Sequence, residues 1–351
     1  MSRKLLSYTA LGLILGNAAF ADVPKVAVDI APVHSLVSRV MEGVGTPKLV
    51  IPAGASPHGY SLRPSEAKAL QDADMVIWMG EDLAPWMENS VETLSTNAEV
   101  ITLLEESETK LLDFREGALF EEHDHGDHDD HDDHDDHDKD HDDHDDHDKD
   151  HDDHDDHDKD HDDHDDHDDH DDHDDHDEHA HGEHDPHAWL SIENAQTWLN
   201  LVAGKLSAAD PENAGVYFAN AAEARAEIDE LVKEVNNILE PVRGRNFVVF
   251  HDAYQYFETS FDFPAAGAIS LGDASDPSAA RIAEIQDRVK DEGINCVLSE
   301  PQYNPNLVTT VLSGTDAKTG VIDPLGASLE PGPNLYRDLI RNMAKSLAGC
   351  L

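Results

Sequence analysis

The 351-residue sequence has few basic residues and only two cysteines. Lysine and arginine together number 24 against 77 aspartates and glutamates, so the formal net charge is −53 at pH 7. This imbalance argues against nucleic acid or an anionic lipid surface as a partner and favours a cationic ligand. The cysteines, Cys296 and Cys350, make a poor metal site by themselves. In an oxidising compartment we predict that they form a disulfide, with two buried thiols as the alternative.

Long apolar runs are also scarce. One run, Leu5 to Ala19, follows two basic residues and precedes the small-x-small pattern Ala19-Phe20-Ala21. This arrangement predicts a cleavable secretory signal peptide over residues 1–21 and an exported mature chain that begins at Asp22. No cysteine lies near that point, so we expect a soluble periplasmic protein without a lipid anchor, in a Gram-negative bacterium.

Residues 123–184 contain almost nothing that could be buried in a core. These 62 residues comprise 21 histidines, 35 acidic residues, 3 lysines, 2 glycines and 1 alanine, with exact ten-residue repeats. The composition predicts an insertion that is disordered without metal. Its histidines are candidate accessory metal ligands, notably His123, His125, His128, His131, His134, His137, His179, His181 and His184.

On both sides of the insertion, short apolar strands alternate with helical stretches, which predicts βαβ units and mainly parallel sheets. We therefore predict an α/β fold with two lobes. Residues 22–190 would form the N-terminal lobe, residues 191–243 a helical section, and residues 244–351 the C-terminal lobe. In the helical section, an apolar stripe predicts a long helix over about 210–241. It is either a rigid spine that joins the lobes or a bent surface helix over one of them.

Only four histidines lie outside the insertion. His58 and His251 follow apolar strands, and His187 stands at the start of a helix. In open α/β sheets ligands collect at the carboxyl ends of strands, so these three imidazoles are expected to converge on a metal site in a cleft between the lobes. His34, in APVHSLV, is interpreted instead as a residue near a helix start with a local hydrogen bond.

The stretches GASPHGYSLRPSEAKAL, HDPHAWLS, VVFHDAYQYF, LSEPQYN and VIDPLGA occur in this order and resemble the zinc-binding periplasmic components of ABC uptake transporters, the ZnuA type. The resemblance runs through essentially the whole mature chain. It implies two α/β lobes joined by a long rigid helix, with one metal ion between them. It also implies His58, His187 and His251 as ligands. For the fourth ligand it offers Asp323, in IDPLG, or solvent; we favour Asp323.

Ligand type then predicts the metal. Three imidazoles with at most one carboxylate suit Zn²⁺, whereas Mn²⁺ prefers more oxygen ligands. Manganese-binding relatives have a carboxylate at the position of His251, which makes this residue the discriminating one.

The resemblance implies a monomeric solute-binding protein that captures Zn²⁺ and delivers it to the membrane permease of an ABC transporter, without catalysis. The insertion would be a collector with weaker zinc sites, a sensor, a dock for a periplasmic zinc chaperone, or a solvated spacer. Two other functions are weighed against this one. Zinc buffering by the repeat leaves the two lobes unexplained, and a zinc hydrolase needs a general base, for which no HExxH or comparable motif is found.

Overall fold

The structure is a computed structural model that contains two four-stranded parallel sheets with helices packed against them, as the sequence predicts. It describes residues 23–115, 184–270, 278–291, 293–303 and 305–351. The predicted signal peptide and residues 123–183 of the insertion lie outside the described residues. No helix in the described part of the chain has the length and hydrophobicity that a membrane span requires.

The N-terminal lobe is built on a sheet of strand order β2-β1-β3-β4, in which all neighbours are parallel. Strands β1 and β3 are short apolar runs that are buried along their whole length, as expected for a parallel sheet covered on both faces. The elements of this lobe are β1 (Val26–Val28), α1 (Ala31–Val40), β2 (Lys48–Leu49), α2 (Pro64–Gln71), β3 (Met75–Trp78), α3 (Pro85–Leu94) and β4 (Glu99–Thr102).

Two long helices connect the lobes, α4 (Ile192–Ala209) and α5 (Ala214–Leu239). Helix α5 has 26 residues and a single 3₁₀ turn at each end, Pro211–Asn213 and Glu240–Val242. At 1.5 Å per residue it is about 39 Å long. The prediction of a long helix in this region is confirmed.

The C-terminal lobe has the strand order β6-β5-β7-β8, again with parallel neighbours. Its outer strand β8 is largely exposed, whereas β5 is buried throughout. The elements of this lobe are β5 (Phe247–His251), α6 (Gln255–Phe261), β6 (Gly267–Ser270), α7 (Ala279–Asp291), β7 (Cys296–Ser299), α8 (Pro305–Val311), β8 (Lys318–Val321) and α9 (Leu335–Cys350).

Helix α5 is the spine of the molecule because it packs against α1 of the first lobe and α9 of the second. Glu227 of α5 pairs with both Arg39 of α1, at 3.2 Å, and Arg337 of α9, at 3.2 Å. The two lobes also meet directly, since the Tyr336 N–H donates to Ser35 Oγ at 2.9 Å. One continuous apolar core runs from β1 through α5 to α9. The alternative of a surface helix over a single lobe is therefore wrong.

The predicted disulfide between Cys296 and Cys350 is present, with the Cα atoms 5.8 Å apart. Cys296 begins β7 and Cys350 ends α9, so the bond attaches the last helix to the sheet. Gly320 of β8 passes over the bond so closely that an added Cβ would lie 3.2 Å from Cys350 Cβ.

Asp29 lies in the interior of the first lobe at the carboxyl end of β1. Its oxygens accept hydrogen bonds from the backbone N–H groups of Ile30 and Met79, both at 2.7 Å. Burial raises the pKa of Asp29 to about 7, against the lowering effect of these hydrogen bonds.

Candidate metal centre

His58 lies on the loop that follows β2, and this loop is fixed at two points close to the histidine. The His58 N–H donates to Ser56 Oγ at 3.3 Å, and the carbonyl of Pro57 accepts a hydrogen bond of 2.6 Å from the Trp86 indole of α3. The His58 side chain is partly buried. The loop therefore presents the imidazole from the first lobe in a defined position.

His187 is held by the carboxylate two residues before it. Asp185 Oδ1 lies 2.7 Å from His187 Nδ1 and also accepts the His187 backbone N–H at 2.9 Å. Asp185 is itself anchored, because its N–H donates to the Leu112 carbonyl at 2.8 Å and its carbonyl accepts from the Tyr256 hydroxyl at 2.9 Å. Both Asp185 and His187 are 1% exposed, so the pair is a fixed part of the interior.

His251 is the last residue of β5 and has a carboxylate partner from the neighbouring strand. Glu300 follows β7 directly, and its Oε1 lies 2.6 Å from His251 Nδ1. The two residues are buried. Because β5 and β7 are adjacent parallel strands, their carboxyl ends meet at one edge of the sheet, which brings the two side chains together.

The three imidazoles converge on one point. Each ring offers one nitrogen, and these nitrogens all lie within 4.8 Å of one another. The ring centroids are 5.4 Å apart for His58 and His187, 6.2 Å for His58 and His251, and 5.2 Å for His187 and His251. The sequence prediction that these three histidines meet is supported by this geometry.

The hydrogen bonds at Nδ1 determine which nitrogen of two of these rings can bind a metal. A carboxylate accepts hydrogen bonds, so Asp185 and Glu300 favour the tautomers of His187 and His251 that carry the proton on Nδ1. The two Nε2 atoms, which lie 3.4 Å apart, then both carry lone pairs. Two lone pairs directed at one another repel unless a cation lies between them. Zn–N bonds of about 2.0–2.1 Å at tetrahedral angles place two nitrogens about 3.4 Å apart, so the observed separation fits zinc.

The cavity around the nitrogens has mainly apolar walls. Trp189 lies with its ring centroid 5.2 Å from that of His187, and Tyr303 lies 5.2 Å from His251. Pro324 and Leu325 are further apolar residues of the lining on the second-lobe side. Such walls lower the local dielectric constant and strengthen the electrostatic interactions within the site.

Asp323, the expected fourth ligand, is not part of the histidine cluster. Its Oδ1 accepts from the N–H groups of Leu325 and Gly326, both at 3.0 Å, and from Gln302 Nε2 at 3.1 Å. Its Oδ2 accepts from the Ala327 N–H at 2.6 Å. The carboxylate closes the turn after β8 in this structure.

Asp252, next to His251, has a different partner from the two carboxylates that hold the imidazoles. It pairs with Arg115, whose guanidinium also contacts Glu258 at 2.7 Å. Burial raises the pKa of Asp252, and the Arg115 charge opposes this effect. Arg115 is the last described residue before the insertion, and this ion pair attaches it to the residue beside the site.

His184, the last residue of the insertion, pairs with a residue that precedes the insertion. Asp113 and His184 form an antiparallel bridge, and His184 Nδ1 lies 2.8 Å from Asp113 Oδ1. His184 is thus the one predicted accessory histidine within the described residues, and it is outside the cluster of three. The other eight lie outside the described residues.

His34 is buried in α1 and away from the cluster. Its Nε2 lies 3.2 Å from the Pro47 carbonyl and its Nδ1 lies 3.4 Å from Ser38 Oγ. Burial lowers the pKa of His34, which favours the neutral ring. The interpretation of His34 as a locally hydrogen-bonded helix residue is confirmed.

Comparisons with known proteins agree with this fold. A family described as "Zinc-uptake complex component A periplasmic", ZnuA, matches residues 26–350. A relative named "High-affinity zinc uptake system protein ZnuA" from Brucella abortus (strain 2308) is 45% identical over 336 residues, which cover 96% of this chain and 94% of the relative. One of the same name from Paracoccus denitrificans (strain Pd 1222) is 45% identical over 349 residues, which cover 98% of each chain. A solved structure described as "Crystal structure of ZnuA" has a TM-score of 0.67 at 18% identity and covers 94% of this chain and 99% of its own.

Proposed function

Because the chain belongs to the ZnuA family of periplasmic zinc-uptake components, we propose that it binds Zn²⁺ through His58, His187 and His251 and delivers the ion to an ABC permease. The observation that carries the proposal is the pair of imidazoles whose Nδ1 atoms face buried carboxylates and whose Nε2 atoms lie 3.4 Å apart. Members of this family are solute-binding proteins rather than enzymes, which agrees with the expectation that the chain performs no catalysis.

The donor set supports zinc as the cargo. Three neutral imidazoles form a nitrogen-rich tetrahedral site, and neither buried carboxylate has to leave its histidine to complete it. The carboxylates of Asp185 and Glu300 increase the basicity of the two imidazoles and keep the rings oriented.

The proposal also concerns the ligand that occupies the fourth coordination position of the metal. The resemblance in sequence favours Asp323 over solvent at this position. In this structure Asp323 accepts four hydrogen bonds, three of them from backbone N–H groups, and its movement to the metal would open that turn. We therefore assign the fourth position to a water molecule, and direct ligation by Asp323 is the alternative.

The insertion is proposed to be an accessory collector that binds zinc more weakly than the three-histidine site. Its imidazoles and carboxylates supply many ligands, but nothing in its composition provides a fixed geometry. Tethering makes transfer to the tight site intramolecular, with effective concentrations up to about the millimolar range. Roles as a zinc sensor or as a dock for a zinc chaperone are alternatives. The mature protein is proposed to be a periplasmic monomer after cleavage of residues 1–21.

Zinc titration of the metal-free mature protein tests these assignments. A chelator competition would measure the tight site and calorimetry the weaker ones, in the full-length protein and in a variant that lacks residues 123–183. Asp113 and His184, which flank the deleted segment, form a β-bridge outside it, so the shortened chain should fold. We expect one tight site in both proteins and additional weak sites only in the full-length protein.

Single substitutions complete this test. His58→Ala and His251→Ala should abolish tight binding, whereas His184→Ala, which removes a histidine outside the cluster, should leave it unchanged. Loss of the tight site on deletion of residues 123–183, or its persistence in both cluster variants, would contradict the proposal.

A further inference from the structure

Gln302 is a polar residue of the metal cavity that does not belong to the cluster of three histidines. It lies two residues after Glu300 and lines the same cavity as the three histidines. Its Nε2 donates to Asp323 Oδ1 at 3.1 Å. Its Oε1 is buried and receives no hydrogen bond from any protein group among the described residues.

The orientation of this amide follows from its partner. A carboxylate accepts hydrogen bonds, so the NH₂ end of the Gln302 amide has to face Asp323 and the carbonyl end has to face away from it. Asp323 cannot turn to follow another group, because three backbone N–H groups hold its two oxygens. The Gln302 carbonyl is therefore held in a fixed direction by a residue that is itself fixed.

A buried carbonyl oxygen without a hydrogen bond is costly, and native structures rarely retain one without a reason. The cavity that Gln302 shares with the histidines is where a metal-bound water would lie if the three imidazoles supply the other ligands. Such a water is a stronger hydrogen-bond donor than bulk water, because the cation polarises it. A hydrogen-bond acceptor in this cavity could therefore bind and orient the metal-bound water.

We propose that Gln302 is the positioning residue of the fourth coordination position, where its Oε1 accepts a hydrogen bond from the water bound to Zn²⁺. This inference rests on the proposed three-histidine site. It also assigns Asp323 to the orientation of Gln302 rather than to the metal. A carbonyl acceptor favours water over an anion in the fourth position, because an anion such as azide directs only lone pairs at Oε1. Gln302 thus selects the hydrated cation against complexes of the metal with small anions.

The test replaces Gln302 by leucine, with methionine as a second variant in case the first fails to fold. Gln286→Leu is the matched control, since Gln286 is a surface residue that donates to the Thr310 carbonyl and lies outside the cavity. The zinc dissociation constant would be measured by chelator competition. The d–d absorption of the Co²⁺-substituted proteins would be recorded during titration with sodium azide, and the melting of the metal-free proteins would show that each variant is folded.

Both Gln302 variants should bind zinc about tenfold more weakly than the wild type, at the lower end of the usual effect of residues that orient a metal site. Their Co²⁺ spectra should differ from the wild type and should respond to azide at lower concentrations, whereas Gln286→Leu should match the wild type. Zinc affinity within twofold of the wild type together with unchanged Co²⁺ spectra in a folded variant would overturn the inference. Direct coordination of Zn²⁺ by Oε1 in a crystal structure of the complex would also overturn it.

The histidine variants separate this inference from the function on which it rests. If His58→Ala loses tight binding while Gln302→Leu does not, only the inference fails. If His58→Ala retains tight binding, the proposed metal site itself is wrong.

Discussion

Replacement of Glu300 by glutamine tests whether the buried carboxylate that is hydrogen-bonded to His251 contributes to zinc affinity. The 2.6 Å contact between Glu300 Oε1 and His251 Nδ1 is a charge-assisted hydrogen bond in the buried interior. Such bonds contribute about 1.5–3 kcal/mol, against about 0.5–1.5 kcal/mol for neutral ones. Glutamine keeps the size and one acceptor but removes the charge, so zinc binding should lose about 1–2 kcal/mol. At 1.4 kcal/mol per factor of ten, this loss corresponds to a dissociation constant about 5 to 30 times higher.

The assay is chelator competition at constant pH and ionic strength, on proteins whose metal-free melting shows that they are folded. Glu258→Gln is a matched control, because Glu258 is an equally buried glutamate that pairs with Arg115 rather than with an imidazole. This control should lower stability and leave the zinc dissociation constant within twofold. The reasoning is refuted if Glu300→Gln also stays within twofold of the wild type, or if Glu258→Gln weakens zinc binding equally.

Three further predictions concern metal preference, the disulfide and pH. His251→Asp should lower the ratio of zinc to manganese affinity, because it exchanges a nitrogen ligand for oxygen; an unchanged ratio in parallel titrations would count against His251 as the discriminating ligand. Replacement of Cys296 and Cys350 by serine removes a cross-link over 54 residues. The free energy of unfolding, measured by urea denaturation, should fall by about 4 kcal/mol while the zinc affinity stays unchanged, and a loss below about 1 kcal/mol would contradict this. The pKa of Asp29 is raised to about 7 in the fold, so its contribution to stability is fully present below pH 4 and is lost as the pH rises to 7. The difference in unfolding free energy between metal-free wild type and Asp29→Asn should therefore change by up to about 4 kcal/mol from pH 4 to 8, and a constant difference would refute the assignment.

Much of the fold could be predicted because its strands are short apolar runs between helical stretches. Strands β6 and β8 lack this signal and show its limit. Strand β6, with the sequence GAIS, has only one large apolar side chain, Ile269, and β8, with the sequence KTGV, lies at an exposed sheet edge without an apolar pattern. Each is specified by pairing with a neighbouring strand, which a local pattern does not contain.

Some features of the candidate site could also be predicted from the sequence, whereas others could not. His58, His187 and His251 could be found because each follows a strand or precedes a helix, at positions where α/β folds place ligands. The role of Asp323 could not be predicted from its residue type, because a carboxylate can either bind a metal or close a turn. A signal for the turn was present, because Asp-Pro-x-Gly is typical of a turn in which the aspartate accepts backbone N–H groups.

The carboxylates near the histidines illustrate a second limit of prediction from the sequence. From the sequence alone, Asp185, Glu300 and Asp252 are equally able to orient an imidazole, and only the structure distinguishes them. Asp252 pairs with Arg115, which lies far from it in the sequence, whereas the other two face Nδ1 atoms. Gln302 gave no signal at all, because an amide is not among the usual ligands of zinc.

The most direct test of the central claim is a crystal structure of the mature protein without residues 123–183, grown with one equivalent of Zn²⁺ and measured on both sides of the zinc absorption edge. We expect one anomalous peak about 2.0–2.1 Å from one nitrogen each of His58, His187 and His251, with Asp185 and Glu300 still at the Nδ1 atoms of their histidines. A zinc ion held by other residues, or no ordered zinc among these three imidazoles, would contradict it.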